Sequence, residues 1–173
     1  MESFLHKLKD ISTFIFDVDG VLTDGSVYVM EDGGQARQFN IKDGYAIQLA
    51  VKCGYNVCAI SGSRSKISIH RLNSLGVKDV YVGAHTKTEN FRIYLEEKHV
   101  LPASVLFMGD DIPDIAVMKL AGLAVCPADA AEEVKAISAY VSPNPGGKGA
   151  VRDVIEKVLK VQGKWMTEQA YSW

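Results

Sequence analysis

The chain has 173 residues, of which 47% are hydrophobic and 23% charged, a composition that is typical of a folded globular domain and excludes a disordered or fibrous chain. Its 19 Lys and Arg residues against 21 Asp and Glu residues give a formal net charge of −2, which argues against a nucleic-acid-binding protein. The three cysteines form no CxxC pair, and no apolar run resembles a signal peptide or reaches the ~20 residues of a membrane span. We therefore expect free thiols, no membrane contact and a cytoplasmic protein.

Short apolar runs alternate with amphipathic segments along the chain, the pattern of parallel β-strands joined by crossover helices. The apolar runs predict strands at residues 13–16, 57–60, 80–82, 105–108, 123–126 and 139–141. Helical spacing predicts helices at residues 44–53, 65–75, 88–99, 112–121 and 151–161, and Gly54, Gly76 and Gly122 follow three of them, where a left-handed glycine is typical. We therefore predict an α/β fold, a doubly wound, Rossmann-like parallel sheet, in one domain over residues 1–173.

One segment breaks this alternation. Residues 26–40 carry strand-like residues on both sides of Asp32-Gly33, which is a signal for a hairpin turn. We predict a β-hairpin flap here, inserted after the first strand. A loop rich in Pro and Gly precedes the last helix, and residues 162–173 form a polar C-terminal tail.

Polar residues follow three of the predicted strands at their carboxyl ends, where open parallel sheets bind ligands. The first strand is followed by Asp17 and Asp19, the second by Ser61, and the fourth by the acidic segment 109–114. A single Asp at such a place is more often a helix cap, but three such strand ends at one edge favour a shared site. Clustered carboxylates repel one another unless a cation lies among them, and hard oxygen ligands suit Mg²⁺. We predict a Mg²⁺ site that also holds a phosphate, with Ser61 and Lys87 as donors.

These segments resemble the four motifs of the haloacid-dehalogenase superfamily: DVDG at residues 17–20, Ser61, Lys87, and GDDIPD at residues 109–114, in that order. The resemblance covers nearly the whole chain. Within the superfamily, the compact form without a large cap and the segments FNIKDGYAI, GGKGAVR and QGK resemble the phosphatases of 3-deoxy-D-manno-octulosonate 8-phosphate. The resemblance implies a sugar-acid phosphatase of lipopolysaccharide biosynthesis that forms a homotetramer.

The resemblance also implies an aspartyl-phosphate mechanism. Asp17 would be the nucleophile, and Asp19 would protonate the leaving oxygen and then deprotonate the attacking water. Mg²⁺ would be held by Asp17, by the backbone carbonyl of Asp19 and by Asp110, with Asp111 and Asp114 supporting this shell.

Ser61 and Lys87 would hold the phosphoryl oxygens and offset charge in the transition state. The sugar acid carries a carboxylate, so we expect cations near it, above all Arg64 and Arg71. In this subfamily an Arg often follows the glycine of the second motif, whereas this chain has Ser63 there and Arg64 one place later. The further candidates for substrate binding are Asn40, Lys42, Asp43, Gly44, Gly62 and Lys148.

Three alternatives remain open from the residues. The substrate could be a nine-carbon ulosonate 9-phosphate, since the loops that distinguish sugar lengths cannot be placed. A signalling receiver domain also gathers acidic residues and a lysine around Mg²⁺, but its phosphoacceptor follows the third strand, and the DxDG spacing therefore favours a phosphatase. A domain that only binds phosphate would not need both Asp17 and Asp19.

Overall fold

The structure, a computed structural model, describes residues 4–172 and has the predicted α/β architecture. Its strands are β1 (Thr13–Phe16), β2 (Tyr28–Val29), β3 (Gln35–Ala36), β4 (Asn56–Ile60), β5 (Asp79–Tyr81), β6 (Val105–Met108), β7 (Leu123–Cys126) and β8 (Tyr140–Val141). Six of them form a parallel sheet in the order β5-β4-β1-β6-β7-β8. The six predicted strands of this sheet are confirmed, with boundaries that agree within one residue.

The helices flank this sheet on both faces. They are α1 (Phe4–Lys7), α2 (Ile41–Lys52), α3 (Lys66–Ser74), α4 (Lys87–Lys98), α5 (Ile115–Met118), α6 (Glu132–Ile137) and α7 (Ala150–Val161), with 3-10 turns at Pro102–Ser104, Ile112–Asp114 and Glu168–Tyr171. Within residues 4–172, every helix is too short or too polar to cross a lipid bilayer.

The central strand β1 is buried on both faces. Phe14 and Phe16 pack into one core together with residues of α2 and α7, whereas Ile15 packs into a second core with residues of α4 and α5. Complete burial of such a side chain contributes about 1.5–3 kcal/mol. Because packing holds β1 from both sides, the loop that follows it has a fixed position at the centre of the sheet edge.

Helix α2 begins earlier than the sequence predicted. The predicted start was residue 44, but Asn40 caps the helix: its Oδ1 accepts the backbone N–H groups of Lys42 and Asp43 at 2.8 and 3.3 Å. The helix therefore begins at Ile41, because the polar cap and not the first apolar residue determines the start.

The predicted helix over residues 112–121 is interrupted in the structure. A 3-10 turn at Ile112–Asp114, with Asp111 Oδ1 accepting the N–H of Ile112 at 2.8 Å, precedes the single-turn helix α5. Gly122 does not have the left-handed backbone that Gly54 and Gly76 have. A Cβ atom at Gly122 would lie 2.2 Å from the carbonyl oxygen of Ala103, so close approach of the backbone explains this glycine.

The predicted hairpin flap is confirmed, with strands of only two residues. Tyr28 pairs with Ala36 and Val29 with Gln35 in antiparallel register. Residues 27–30 are 40 to 72% exposed although all four are apolar. The hairpin therefore presents an apolar edge to its surroundings.

The loop that precedes α7 packs against the loop that follows β1. The backbone N–H of Gly147 donates to the carbonyl oxygen of Val21 at 2.9 Å, and a Cβ atom at Gly146 would lie 1.8 Å from the carbonyl oxygen of Gly20. Residues 162–172 then pack on α2, where the Tyr45 hydroxyl donates to the carbonyl oxygen of Ala170 at 2.6 Å. The C-terminal part of the chain thus supports the sheet edge that carries the acidic residues.

Candidate active site

The carboxyl ends of β4, β1 and β6 lie side by side, and the loops that follow them line an open pocket of about 360 Å³. The sequence had singled out most of its lining, namely Asp17, Asp19, Ser61, Gly62, Lys87, Asp110, Asp111 and Asp114. Gly25, Ser63 and Pro113 complete the lining. Sheet topology therefore brings together residues that are almost 100 positions apart in the chain.

Three carboxylates form the floor of this pocket. Asp17, Asp110 and Asp114 each offer an oxygen within 4.8 Å of the others. The Nζ atom of Lys87 lies 2.9 Å from Asp17 Oδ1 and 2.6 Å from Asp114 Oδ1. The second oxygen of Asp114 accepts the backbone N–H of Asp110 at 3.2 Å. Both oxygens of Asp114 are thus engaged by the chain, which fits the supporting position predicted for it.

Burial and mutual repulsion make ionisation of the carboxyl groups of this floor unfavourable. Burial, and then the neighbouring charge of Asp114, raises the pKa of Asp17 from its ordinary value of 3.8 to about 6. Burial, followed by the charges of Asp17 and Asp114, raises the pKa of Asp110 to about 8. Burial opposes ionisation of Lys87, but the two carboxylates that it contacts raise the pKa of its ammonium group above the ordinary value.

A divalent cation fits this set of groups. Within residues 4–172, Asp110 Oδ1 is a buried oxygen with no hydrogen-bond partner, and such an acceptor is unfavourable unless something occupies the space before it. Carboxylate oxygens are hard ligands of the kind that Mg²⁺ prefers. Asp17 and Asp110 are the residues of the floor that could hold the ion directly.

Two glycines allow the acidic residues to approach one another. A Cβ atom at Gly20, whose φ is +90°, would lie 2.0 Å from Asp110 Oδ2. A Cβ atom at Gly109 would lie 2.5 Å from Cβ of Asp114. The glycines of the DVDG and GDD segments are therefore required by space. A side chain at Gly20 would separate the loops that follow β1 and β6, and one at Gly109 would displace Asp114 within the segment that follows β6.

Ser61 is the first residue of the loop that follows β4, and it lines the pocket beside the floor. It is buried, and its Oγ accepts the backbone N–H of Ser63 at 3.1 Å. This contact fixes the side chain while the hydroxyl hydrogen remains able to donate to an anion in the pocket. Ser61, the backbone around Gly62 and Lys87 together line one side of the pocket, as a phosphate site requires.

Sequence analysis missed Arg37, a residue of the hairpin segment that contacts Asp19 and Ser63. Its Nε donates to Asp19 Oδ1, its Nη2 donates to Ser63 Oγ at 3.1 Å, and its Nη1 donates to Gln35 Oε1 at 3.2 Å. Its side chain is only 4% exposed, whereas that of Asp19 is 30% exposed. The sequence does show a basic residue in the flap. The direction of its side chain, however, depends on how the hairpin folds back on the loops that follow β1 and β4.

The structure does not bring Arg64 or Arg71 into the pocket, although both were predicted to bind the sugar carboxylate. The side chain of Arg64 packs on Gly83, with its Nη2 3.4 Å from Nε2 of His85. Arg71 lies in the last turn of α3 and packs against Gly44 of α2, where a Cβ atom would lie 2.4 Å from its Nη2. The face of α3 that carries Arg71 points to α2 and not to the acidic cluster.

Two other predicted substrate contacts, Asn40 and Asp43, act on the C-terminal loop instead. The Nδ2 of Asn40 donates to the carbonyl oxygen of Gly147 at 3.2 Å. The buried carboxylate of Asp43, whose pKa is raised by burial, accepts the N–H groups of Gly149 and Arg152 at 3.1 and 2.7 Å. Asn40 and Asp43 thus join α2 to the loop before α7 and to its first turn, whereas Gly44 provides the space for the Arg71 side chain.

Of the three predicted lysines, Lys42 and Lys148 lie outside the acidic pocket. Lys42 and Lys148 line a second, polar pocket of about 440 Å³ between α2 and α7. The Nζ of Lys148 also lies 3.6 Å from Asp24 Oδ2, close to the loop that follows β1.

Fold and site together define an α/β domain in which the acidic ends of neighbouring parallel strands can hold a cation beside a phosphate. The chain belongs to the haloacid dehalogenase-like hydrolases, whose sequence profile matches residues 65–155. This membership confirms the resemblance stated from the motifs, and it favours a hydrolase over a signalling receiver domain.

Individual relatives narrow the comparison. The chain is 38% identical over 158 residues to the 3-deoxy-D-manno-octulosonate 8-phosphate phosphatase of Escherichia coli K12, which covers 91% of this chain and 84% of the relative. The crystal structure of the Yersinia pestis phosphatase of the same name matches with a TM-score of 0.91 at 35% identity, covering 92% of this chain and 86% of that one. The Moraxella catarrhalis phosphatase, solved in complex with magnesium, phosphate and the KDO molecule, matches with a TM-score of 0.90 at 29% identity over 93% and 92% of the two chains.

Proposed function

We propose that this protein is a Mg²⁺-dependent phosphatase that hydrolyses 3-deoxy-D-manno-octulosonate 8-phosphate to the free sugar acid and phosphate, a step of lipopolysaccharide sugar biosynthesis. The observation that carries the proposal is the pocket floor, where Lys87 is paired with Asp17 and Asp114 and Asp110 lies beside these carboxylates, at the edge of a sheet shared with phosphatases of that name. Asp17 and Asp110 would hold Mg²⁺ together with the backbone carbonyl of Asp19. When bound, the ion offsets the charge of the phosphate and of the floor.

The chemistry proceeds through Asp17. Its carboxylate attacks phosphorus, so that a P–O bond to Asp17 forms as the bond between phosphorus and the sugar oxygen breaks. Asp19 gives its proton to the departing sugar oxygen and then accepts a proton from the water that attacks the phosphoenzyme. That attack releases phosphate and restores the Asp17 carboxylate. The spacing supports these roles, because Asp17 is buried at the floor while Asp19 lies two residues on, at the open side.

Lys87, Ser61 and the backbone N–H groups around Gly62 hold the phosphoryl oxygens during both steps. Lys87 remains charged between Asp17 and Asp114, and it therefore faces the attacking carboxylate and the phosphate at once. Asp114 keeps that ammonium group in position, and Asp111 begins the turn that carries Asp114. Preorganised donors of this kind stabilise charge that develops in the transition state.

We further propose that residues 1–173 act as one domain and assemble as a homotetramer. The hairpin supports the assembly, because residues 27–30 expose four consecutive apolar side chains at a short, unpaired edge. The pocket is also open, so a neighbouring subunit would complete its enclosure. Mass measurement in solution should give four copies, and a fully active monomer would contradict the assembly. The cytoplasmic location remains a prediction.

The activity is tested by phosphate release from a panel of esters, with Mg²⁺ and with a chelator. We expect the eight-carbon ulosonate 8-phosphate to be hydrolysed best and chelation to abolish turnover. Greater activity on the nine-carbon ulosonate 9-phosphate would correct the substrate but retain the mechanism. Turnover that survives thorough chelation would contradict the role of Mg²⁺.

A further inference from the structure

The guanidinium group of Arg37 connects the hairpin with two of the loops that line the pocket. Arg37 contacts Asp19, on the loop after β1, through Nε, and it contacts Ser63, on the loop after β4, through Nη2. Its third donor, Nη1, contacts Gln35 within the hairpin. A side chain that is 4% exposed and has all three nitrogens engaged has a defined position, in contact with two residues that line the pocket.

The position of Arg37 relative to the floor determines which part of a substrate it would meet. The phosphate site is formed by Asp17, Ser61 and Lys87, and Lys87 is already paired with two carboxylates there. Asp19 serves the oxygen that leaves, so the sugar extends from the phosphate past Asp19. Arg37 contacts Asp19 from the rim, and it therefore lies beside the leaving group and not beside the phosphate.

We propose that Arg37 binds the carboxylate of the sugar-acid substrate and thereby selects phosphate esters that carry a second anionic group. This inference rests on the proposed function and deepens it. Arg64 and Arg71, which the sequence favoured for this contact, are directed away from the pocket. Arg37 takes their place from the flap, in which the sequence had indicated only Asn40 for substrate binding.

The present hydrogen-bond partners of Arg37 make it favourable for a substrate carboxylate to replace two of them. Two of its nitrogens donate to neutral oxygens, Ser63 Oγ and Gln35 Oε1, whereas only Nε is paired with a charged group, Asp19. A carboxylate that replaces the two neutral acceptors receives two charge-assisted hydrogen bonds from Nη1 and Nη2, which are roughly twice as strong as neutral ones. Arg37 keeps its Nε contact with Asp19 meanwhile, so the same side chain contacts the leaving group and the residue that protonates it.

The test compares Arg37→Ala and Arg37→Lys with Arg92→Ala, a matched control that removes an exposed arginine of α4 outside the lining of the acidic pocket. The substrates are the ulosonate 8-phosphate and arabinose 5-phosphate, an alkyl phosphate without a carboxylate. Inhibition by the free sugar acid and by inorganic phosphate is measured in parallel.

We expect Arg37→Ala to raise KM for the ulosonate phosphate, and the inhibition constant of the free sugar acid, about tenfold or more. The constants for arabinose 5-phosphate and inorganic phosphate should change less than about twofold. Arg37→Lys should recover part of the loss, because it keeps the charge but not the paired donors. Arg92→Ala should behave as the unmodified protein.

Equal losses on both esters, with unchanged inhibition by the sugar acid, would overturn the proposal and show that Arg37 only positions Asp19 or the hairpin. Unchanged KM for the ulosonate phosphate would overturn it directly. Assays with phosphoglycolate, a small phosphate ester that carries a carboxylate, distinguish a wrong role of Arg37 from a wrong proposed substrate. If the unmodified protein ignores the ulosonate phosphate, the proposed substrate is wrong, and the ratio between phosphoglycolate and arabinose 5-phosphate still decides the role of Arg37.

Discussion

The floor of the pocket is formed by residues that directly follow buried parallel strands, whereas its rim is formed by loop side chains, which a hairpin of two-residue strands contacts through Arg37. Asp17 is held by a strand that is buried on both faces, and Lys87 is 9% exposed. The rim side chain of Asp19 is 30% exposed and is held by a single arginine. We infer that the chemistry of the site depends on the sheet, and its selectivity on the hairpin.

The largest effect should come from the floor. Asp17→Asn removes the attacking oxygen and should lower kcat by at least about 10⁴-fold, with no phosphoenzyme formed. Asp19→Asn should lower kcat for an alkyl phosphate by about 10²- to 10³-fold while phosphate still binds, because only proton transfer is lost. Steady-state kinetics with calorimetric phosphate binding measure both. Full activity of Asp17→Asn would show that another residue is the nucleophile.

Two glycines are required for different reasons, Gly20 by close approach at the floor of the pocket and Gly33 by the backbone conformation of the hairpin turn. Gly20 and Gly33 have φ values of +90° and +80°, but only a Cβ atom at Gly20 would meet a neighbour, Asp110 Oδ2 at 2.0 Å. Gly33→Ala should lower the free energy of unfolding by about 1 kcal/mol through strain alone. Gly20→Ala should lower it by about 2–4 kcal/mol and weaken Mg²⁺ binding, since Asp110 must move.

Denaturant unfolding and calorimetry with Mg²⁺ measure these two changes. Equal losses of stability in the two variants, with Mg²⁺ binding intact in Gly20→Ala, would contradict the close contact between the loops.

The acidic floor should also make the protein without Mg²⁺ depend on pH. Burial and neighbouring charge raise the pKa of Asp17 to about 6 and that of Asp110 to about 8. Carboxyl groups of the unfolded chain titrate near pH ~4, so the folded state binds more protons between pH ~4 and ~8, and stability falls as the pH rises through this range. Asp110→Asn removes the larger contribution and should raise the stability at pH 8 by about 1–2 kcal/mol.

Thermal denaturation in EDTA at pH 5, 6.5 and 8 measures this dependence, with Mg²⁺ as the comparison. We expect the melting temperature to fall with pH in EDTA and to fall less in Mg²⁺. A melting temperature that rises over this range, or the same slope in Asp110→Asn, would contradict the raised pKa values.

The difference between floor and rim also explains which site residues could be predicted from the sequence. The residues of the floor were predicted because strand order at the centre of a parallel sheet brings the ends of β1, β4 and β6 together whatever the loops do. Arg37 was missed because its contact with Asp19 depends on how the hairpin folds back. Arg64 and Arg71 were assigned to the substrate because their charge is visible in the sequence, whereas the direction of their side chains is set by packing on Gly83 and α2.

The fold shows a similar limit. Helix α2 was predicted from its apolar residues, but its start is set by Asn40, a polar cap that periodicity does not weigh. The glycine at position 122 follows a helix, as a C-terminal glycine does, yet its reason is contact with the backbone of Ala103. Patterns along the chain thus predicted which elements form, while contacts between elements decided their ends.

The smallest effect is expected at two predicted substrate contacts that the structure places outside the acidic pocket. Arg64→Ala and Arg71→Ala should each change KM for the ulosonate phosphate by less than about twofold, because both side chains lie outside the pocket. Arg71→Ala should instead lower stability slightly, since it empties the space above Gly44. Steady-state kinetics of both variants check this, and a tenfold rise in KM for either would restore it as a substrate contact.

The central claim is that Asp17 forms a covalent bond with phosphorus, and the most direct measurement is to trap that bond. Rapid quenching of the protein during turnover with Mg²⁺ and substrate, followed by borohydride reduction of the acyl phosphate and peptide mass mapping, locates the modified side chain. We predict modification at Asp17, dependent on Mg²⁺ and absent when the substrate is omitted. Modification at Asp19, or rapid turnover that leaves no modified carboxyl, would contradict the mechanism.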